Sequence, residues 1–175
     1  MTSLSAHIPV LETQRLRLRA HTRADWPEFK DLLMSERAQY IGGPMSDLSA
    51  WSSFASEIAS WVLDDFGYWV IALKDTDKAV GFTGIMKPSI FPETELGWLT
   101  TPKGEGNGYA FEAVNAVLDW AFLSRGFPTL VSYIDPQNAR SIALAERLGA
   151  KRDDAAKAAH EGDLVYRHPA REVAA

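Results

Sequence analysis

A glycine-dense stretch that runs directly into a helical pattern constrains this chain more than any other feature. Gly104, Gly106 and Gly108 fall within five residues, and the helical pattern begins at Tyr109. The apolar run from residue 94 to 99 lies just upstream and predicts a strand. Glycine lets a backbone approach a ligand closely, and the unpaired N–H groups at a helix start favour an anion. The order of strand, glycine turn and helix therefore predicts a phosphate-binding loop.

Two well-known phosphate-binding motifs do not fit these glycines. The dinucleotide fingerprint requires the order G-x-G-x-x-G, but its last glycine would fall on Tyr109 or on Phe111. The P-loop ends in Gly-Lys followed by Ser or Thr, and the sequence has no such ending. A third interpretation needs no ligand, because a glycine-rich turn can also join a strand to a helix for purely structural reasons.

The composition limits the classes of function that this protein can have. At 175 residues with 46% hydrophobic residues, the chain suits one globular domain over residues 1–175. Its net charge of −5 predicts no binding to nucleic acid or to an anionic membrane surface, and it suits an amine-bearing substrate. Because the chain has no cysteine, disulfides, thiolate catalysis and cysteine–metal sites are excluded.

The sequence also bears on the compartment. No apolar run approaches the roughly 18 residues that a membrane-spanning helix needs. Residues 1–10 lack the basic region and apolar run of a secretory signal. We therefore expect a cytoplasmic protein.

The N-terminal part predicts one strand and two amphipathic helices. Apolar residues and arginines alternate from Leu11 to Ala20, which is typical of a half-buried strand with a solvated arginine face. A first helix follows the N-cap Thr22, and a second follows Asp47, with the serines and Glu57 expected on its solvent face. The apolar residues expected on the buried face of the second helix are Trp51, Phe54, Ala55, Ile58 and Val62.

The rest of the chain alternates strands with two further helices. Strands are predicted for the runs 68–73, 79–86, 95–99, 130–134 and 163–167. A long helix is predicted from Tyr109 to Leu123, and a short one begins after Asn138 and ends at Gly149. The order β-α-α-β-β-β-α-β-α-β predicts a mixed sheet with helices on both faces.

A second motif lies at the start of the short helix. Residues Asn138 to Ala150 read N-A-R-S-I-A-L-A-E-R-L-G-A, in which the asparagine is an N-cap and the leucines face a core. This segment resembles the N-x-x-S-x-x-L-x-E-x-L-G-F/A element of the GNAT acetyltransferases. The stretch from Gly106 to Ala113 resembles the pyrophosphate loop of that family, and Leu11 to Arg19 resembles the opening strand L-x-T-x-R-L-x-L-R of its RimJ/RimL branch.

The resemblance covers nearly the whole chain, from Leu11 to Tyr166, and it implies a fold and a cosubstrate. The expected fold is α+β with three α/β/α layers and a mixed, largely antiparallel central sheet. The expected cosubstrate is acetyl-CoA.

The resemblance also implies which residues bind acetyl-CoA. Loop N–H groups would bind the pyrophosphate, with Lys103 near the 3′-phosphate. The preceding strand would splay from its neighbour and pair with the pantetheine arm, while Asn138 and Ser141 would reach the pantetheine and the thioester sulfur. The loop residues are Glu105, Gly106, Asn107, Gly108, Tyr109 and Ala110. The strand residues are Trp98, Leu99 and Thr100.

Two positions depart from the family pattern. Glu105 stands where the family usually has Gln or Arg, and a carboxylate that faced a pyrophosphate would repel it. We therefore expect the Glu105 side chain to point to solvent, with only its amide at the ligand. Ala145 stands where many members carry a tyrosine acid, so the thiolate would be protonated by Ser141, by water or by no specific group.

The chemistry implied is direct acyl transfer from the thioester to a neutral amine. As the general base we predict Glu95, at the head of the strand that flanks the cleft; the alternative is an exposed carboxylate or an arginine partner. Weaker candidates are Asp135, Tyr133 and Glu93. His160 is predicted at the surface, and no two histidines have the spacing of metal ligands on one helix face, so no metal site is predicted.

The leading hypothesis is an N-acetyltransferase of the RimJ/RimL type that acts on a protein N-terminal amine or on a small-molecule amine. The alternative is a GNAT-fold protein that binds CoA as a sensor or interaction module without catalysing transfer. Asn138 and Ser141 favour the enzyme, whereas Ala145 and Glu105 favour the alternative. The acceptor stays open, and a homodimer is plausible for this branch.

Overall fold

An eight-stranded mixed sheet forms the centre of the structure, a computed structural model that describes residues 6–171. Residues 1–5, which belong to the N-terminal stretch considered above, and residues 172–175 lie outside the described part. The strands are β1 (Leu11–Glu12), β2 (Leu16–Arg19), β3 (Tyr68–Leu73), β4 (Ala79–Met86), β5 (Glu95–Thr100), β6 (Leu130–Ile134), β7 (Lys151–Arg152) and β8 (Leu164–His168). The helices are α1 (Trp26–Leu33), α2 (Asp47–Leu63), α3 (Tyr109–Asp119) and α4 (Ala139–Arg147).

The sheet confirms the predicted mixed and largely antiparallel arrangement. Its strands lie in the order β1-β2-β3-β4-β5-β6-β8-β7. The β5–β6 pair is parallel, and the other neighbouring pairs are antiparallel. The predicted runs 68–73, 79–86 and 130–134 are strands β3, β4 and β6 with the same limits.

Helices cover both faces of the sheet, which gives the predicted three layers. On one face, α1 and α2 pack with alternate residues of the central strands, such as Val70 and Phe82. On the other face, α3 packs with the intervening residues, such as Trp69 and Leu96, and α4 joins this core through Leu144. The aromatic side chains predicted to be core or groove walls divide between the two layers, with Trp61 in one and Trp26 and Trp51 in the other.

The opening segment differs from the single strand predicted from Leu11 to Ala20. It forms two strands, because the chain turns at residues 13–15 and β1 folds back antiparallel on β2, with Leu11 opposite Leu18. The Thr13 N–H donates to the Leu16 carbonyl at 2.9 Å, and the Leu16 N–H donates to the Thr13 hydroxyl at 3.0 Å. These bonds close the turn, so the polar residues Thr13 to Arg15 leave the strand and become available to other elements.

The buried face of α2 also differs from the prediction. The buried residues are Ala50, Phe54, Glu57 and Trp61, whereas Ile58 and Val62 are 36% and 40% exposed and Ala55 is exposed. The physical reason is a polar pair under the helix, since the Glu57 carboxylate lies 3.0 Å from Nε2 of His21. His21 stacks on Phe82, so the pair turns a charged residue toward the sheet and leaves two aliphatic residues on the outside.

The helices of the described part do not include one that could cross a membrane, as judged by length and apolar content between residues 6 and 171.

Candidate active site

The two parallel strands β5 and β6 separate just after they begin to pair. Glu95 and Val131 are the only register partners that join them within the described residues, and the Val131 N–H donates to the Thr94 carbonyl at 3.1 Å. The next carbonyl of β5, that of Leu96, accepts a bond from the Ser132 hydroxyl at 2.5 Å instead of from a strand N–H. The remainder of β5, up to Thr100, therefore has strand β4 on one side and an opening on the other.

The glycine stretch forms a tight loop between β5 and α3. Gly106 and Gly108 have φ values of +75° and +76°, a region in which side chains are strained. A Cβ on Gly104 would lie 2.0 Å from the Val80 carbonyl oxygen, so this position requires glycine for close packing on β4. Glycine is thus required for two different reasons, the backbone conformation at Gly106 and Gly108 and the close approach to β4 at Gly104.

The loop presents backbone N–H groups at the N-terminus of α3. The N–H groups of Gly104 and Glu105 donate to the Thr101 carbonyl at 3.0 and 3.2 Å. Within residues 6–171, the N–H groups of Gly106, Asn107 and Gly108 have no partner, and those of the first α3 turn lack an acceptor four residues earlier. The predicted role of the Glu105 amide is therefore not supported by its geometry, whereas its neighbours stay available for an anion.

A group of polar contacts fixes this loop to the turn between β1 and β2. The Glu112 carboxylate accepts bonds from the Thr13 hydroxyl at 2.6 Å, the Arg15 backbone N–H at 2.8 Å and the Arg15 guanidinium at 2.7 Å. The Arg15 guanidinium also donates to the Asn107 carbonyl at 3.0 Å and lies 4.7 Å from the Tyr109 ring centroid. The Thr and Arg of the opening motif therefore position the loop, while the Arg15 side chain, which is 46% exposed, still lies on the predicted solvated arginine face.

The Glu105 carboxylate differs from the solvent-facing expectation. It lies 2.7 Å from the guanidinium of Arg37, and it also binds the guanidinium of Arg140 at the start of α4. These two cations lower the pKa of Glu105 from its ordinary value, with the hydrogen bond from Arg37 as the largest cause. The side chain is 33% exposed, and with Pro102, Gly106 and Arg140 it lines an open cleft of about 540 Å³.

The start of α4 lies beside this loop, because Arg140 reaches Glu105 from there. The Asn138 side-chain oxygen accepts the Ser141 N–H at 3.2 Å, which confirms the predicted N-cap. Within residues 6–171, the Asn138 side-chain amide and the Ser141 hydroxyl donate no hydrogen bond, so both could bind a ligand. Ala145 is fully buried in the core, and the helix offers no tyrosine hydroxyl at that position.

Glu95 lies at the point where β5 and β6 separate. Desolvation by burial raises the pKa of its carboxyl from the ordinary 4.5 to about 8. A backbone N–H of Tyr133 acts in the opposite direction, and the nearby charge of Asp163 raises the pKa further. A carboxyl with this pKa is a much stronger base, once ionised, than an exposed glutamate.

The weaker candidates for a base have other partners. Glu93 forms two bonds with the Arg167 guanidinium, at 2.7 and 2.8 Å, and these lower its pKa. The Asp135 carboxylate accepts the Gln137 N–H at 2.7 Å, and the Tyr133 hydroxyl accepts the Glu93 N–H at 3.0 Å. His160 is exposed, as predicted, and lies edge-on to Phe91. These contacts favour Glu95 over the alternatives.

The remaining predicted ligands fall at several places around the cleft. Trp98 points to the α3 side of the sheet and Leu99 to the α1/α2 side, while Thr100 ends β5. Lys103 pairs with Glu28 at 3.1 Å. Because its side chain is 73% exposed, it has room to turn toward another anion. In the part of the chain that the structure describes, no three acidic or histidine side chains converge as a metal site.

Sequence comparison identifies the family. The family model described as "Acetyltransferase (GNAT) domain" matches residues 15–151, which is most of the chain. The chain belongs to the GNAT acetyltransferase family. The uncharacterized protein YkkB of Bacillus subtilis (strain 168) is 39% identical to it over 83 residues, 46% of this chain. The match covers 48% of YkkB, so the chain spans about half the length of this curated relative.

Solved structures of acetyltransferases share the fold. An acetyltransferase from Agrobacterium tumefaciens str. C58 is 43% identical, with a TM-score of 0.90 over 97% of this chain and 99% of that one. RimL, a ribosomal L7/L12 alpha-N-protein acetyltransferase, is 15% identical, with a TM-score of 0.71 over 91% of this chain and 92% of RimL. The likeness to RimL concerns the fold alone. The likeness to the Agrobacterium acetyltransferase, together with the family match, supports an acyltransferase enzyme.

Proposed function

We propose that this protein transfers an acetyl group from acetyl-CoA to a primary amine by direct attack of the amine on the thioester. One observation carries the proposal: β5 and β6 separate beside free loop N–H groups, with the partly buried Glu95 at the point of separation. The free edge of β5 suits an extended pantetheine arm, since an exposed strand edge presents unpaired backbone groups. The loop suits a pyrophosphate, and a carboxyl whose pKa is raised to about 8 suits proton transfer.

The residues present fit acetyl-CoA. The N–H groups of Gly106, Asn107 and Gly108, together with those of Tyr109 and Ala110, would bind the pyrophosphate. Trp98, Leu99 and Thr100 would pair with the pantetheine arm, and Asn138 and Ser141 would reach toward the thioester. Lys103 would lie near the 3′-phosphate. In this assignment Glu105 contributes its carboxylate to arginine binding rather than its amide to the ligand.

Glu95 supplies the base that the chemistry needs. An alkylamine has a pKa of about 10.4, as in lysine, and an α-amino group about 8, so both are mainly protonated at neutral pH. A carboxylate whose conjugate acid has a pKa of about 8 can accept that proton with a far smaller mismatch than an ordinary glutamate. The neutral amine then attacks the acyl carbon and the C–S bond breaks. The nitrogen gives up its second proton, which passes through Ser141 or a water molecule to the departing thiolate.

In this proposal the enzyme is of the RimJ/RimL type. Its acceptor is either a protein N-terminal amine or a small amine. The opening motif supports the branch, because Thr13 and Arg15 have a defined role in positioning the loop. The fold likeness to RimL is consistent with it. The alternative, a CoA-binding module without transfer, is favoured by the missing tyrosine at Ala145 and by the Glu105 carboxylate at the loop.

An acceptor screen tests the proposal. The protein is incubated with acetyl-CoA and a panel of peptides with free N-termini, diamines and aminoglycosides, and released CoA thiol and acetylated products are measured. We expect thiol release that matches product formation, with a large loss in Glu95→Gln. Micromolar or tighter CoA binding without transfer to any amine would support the alternative instead.

A further inference from the structure

A buried tyrosine extends across three strands toward Glu95. Tyr68 on β3 lies opposite Gly84 on β4, and Gly84 lies opposite Gly97 on β5. Neither glycine has room for a side chain. A Cβ on Gly84 would lie 2.7 Å from the Tyr68 ring atom Cδ2, and one on Gly97 would lie 1.9 Å from the Tyr68 hydroxyl oxygen. The two glycines therefore leave a groove on the sheet, and the Tyr68 ring fills it.

This groove ends at Glu95, the predicted base. The same Cβ position on Gly97 is 4.0 Å from the carboxyl carbon of Glu95, so the hydroxyl and the carboxyl converge on one point of β5. Glu95, Gly97 and Leu99 share one side of the strand because side chains alternate, and Leu99 packs with Tyr68 in the α1/α2 layer. Both polar groups thus lie on the same face, where β5 begins to separate from β6.

The Tyr68 hydroxyl lacks a partner in the described structure. Tyr68 is 6% exposed, and within residues 6–171 its hydroxyl makes no hydrogen bond. The fully enclosed side-chain atoms without a partner in this range are Nδ1 of His21 and of His168, so the Tyr68 oxygen is not sealed from solvent. The Tyr68 hydroxyl is therefore an unpaired polar group that a ligand can reach.

We propose that the Tyr68 hydroxyl binds the acceptor amine together with the Glu95 carboxylate, in a two-point site that selects primary amines. This inference rests on the proposed function and deepens it. Glu95 first takes one proton from the ammonium group. The neutral primary amine then has two N–H groups, of which one is donated to the unprotonated oxygen of the Glu95 carboxyl and the other to the Tyr68 oxygen, so that its lone pair is directed at the acyl carbon. A neutral N-methylated amine has a single N–H and leaves one of the two acceptors unpaired.

The charged groups around the site keep the Tyr68 hydroxyl neutral. Burial raises the pKa of Tyr68 well above its ordinary 10, and the charges of Glu95 on β5 and Glu57 on α2 add to this effect. Asp163, before β8, acts on Glu95 from the other side, and His21 binds Glu57. The hydroxyl therefore stays protonated and able to accept an N–H bond over the working pH range.

Steady-state kinetics of Tyr68→Phe test the inference. With a primary amine and its N-methyl analogue as paired acceptors, we expect kcat/KM for the primary amine to fall about 10-fold or more. The KM for acetyl-CoA should stay within twofold, and the preference for the primary amine should shrink. Tyr166→Phe is the matched control, since its hydroxyl binds Glu146 of α4 and it should change none of these values.

The outcomes separate the two proposals. If the wild-type protein transfers acetyl groups and Tyr68→Phe keeps the same preference, the role of Tyr68 is overturned and the proposed function stands. If the wild type transfers to no amine, both are overturned. Should Tyr68→Phe be poorly folded by thermal unfolding, Gly97→Ala provides the second variant, because its Cβ would displace the hydroxyl. It should reduce the preference for the primary amine in the same direction, and an unchanged preference would contradict the inference.

Discussion

The Glu105 carboxylate lies 2.7 Å from the guanidinium of Arg37, which joins the glycine loop to the helical turn after α1. The same carboxylate binds Arg140 of α4. Glu105 thus holds two cations close to loop N–H groups that would bind a pyrophosphate. A carboxylate and a phosphate both pair with guanidinium groups, so the side chain competes with the ligand for them.

Glu105→Gln is expected to bind acetyl-CoA about two- to tenfold more tightly, because removal of the carboxylate frees Arg37 and Arg140 for the phosphates and removes a repulsive charge. Isothermal titration calorimetry measures the change. Glu161→Gln, at an exposed glutamate in the loop before β8, is the control for the loss of one negative charge. Unchanged affinity in Glu105→Gln would show that the two arginines do not contact the cosubstrate.

Ionisation of Glu95 should set the pH dependence of turnover. Because the folded protein holds the carboxyl pKa near 8, the base is mainly protonated at pH 6 and mainly ionised at pH 9. At saturating acceptor, kcat should therefore rise with pH and level off above about 8. Glu95→Gln should lower kcat by about 100-fold or more and abolish this rise. A wild-type kcat that is flat between pH 6 and 9 would exclude Glu95 as the base.

Glu95 should also reduce stability in alkaline solution. Its pKa is higher in the folded protein than in the unfolded chain, so the folded state binds more protons, and its contribution to stability is lost as pH rises from about 4.5 to 8. Relative to wild type, Glu95→Gln should become more stable at pH 9 than at pH 5, as measured by urea unfolding at both values. A constant difference between the two proteins would contradict the shifted pKa.

Glu112 is expected to stabilise the loop and thereby cosubstrate binding. Glu112→Ala removes the acceptor of the bonds from Thr13 and Arg15, which leaves their donors unpaired. The free energy of unfolding should fall by about 1–3 kcal/mol, and acetyl-CoA should bind more weakly. Asp119→Ala is the matched control on the same helix, since its exposed carboxylate pairs with Arg171, and it should leave acetyl-CoA binding unchanged.

His168 should make the fold sensitive to acid. It is 2% exposed beside the Ser132 hydroxyl, and burial lowers its pKa from 6.5 to about 4, with a smaller effect of Arg171. Because the unfolded chain binds the proton more readily, stability is full above about pH 6.5 and is lost as pH falls toward 4, by at most about 3 kcal/mol. The unfolding free energy of His168→Gln should depend less on pH over this range. Parallel pH curves for the two proteins would contradict the assignment.

The sequence by itself determined the elements and the loop. The limits of β3, β4 and β6 follow from apolar runs between polar turns, and the glycine stretch and the Asn138 cap follow from local spacing. These features depend on residues that are close in the chain, so their backbone geometry is encoded locally. For the same reason the family motifs could be recognised without a structure.

Only the tertiary structure decided how distant side chains are paired. The burial of Glu57 depends on His21, the orientation of Glu105 on Arg37 and Arg140, and the role of the opening motif on Glu112, which is nearly 100 residues away. Gly84 and Gly97 inside strand patterns were a sequence signal of close approach, yet nothing local identified Tyr68 as the side chain that fills the space. Such pairings arise from packing between elements, where burial and charge select one partner among several that the local pattern allows.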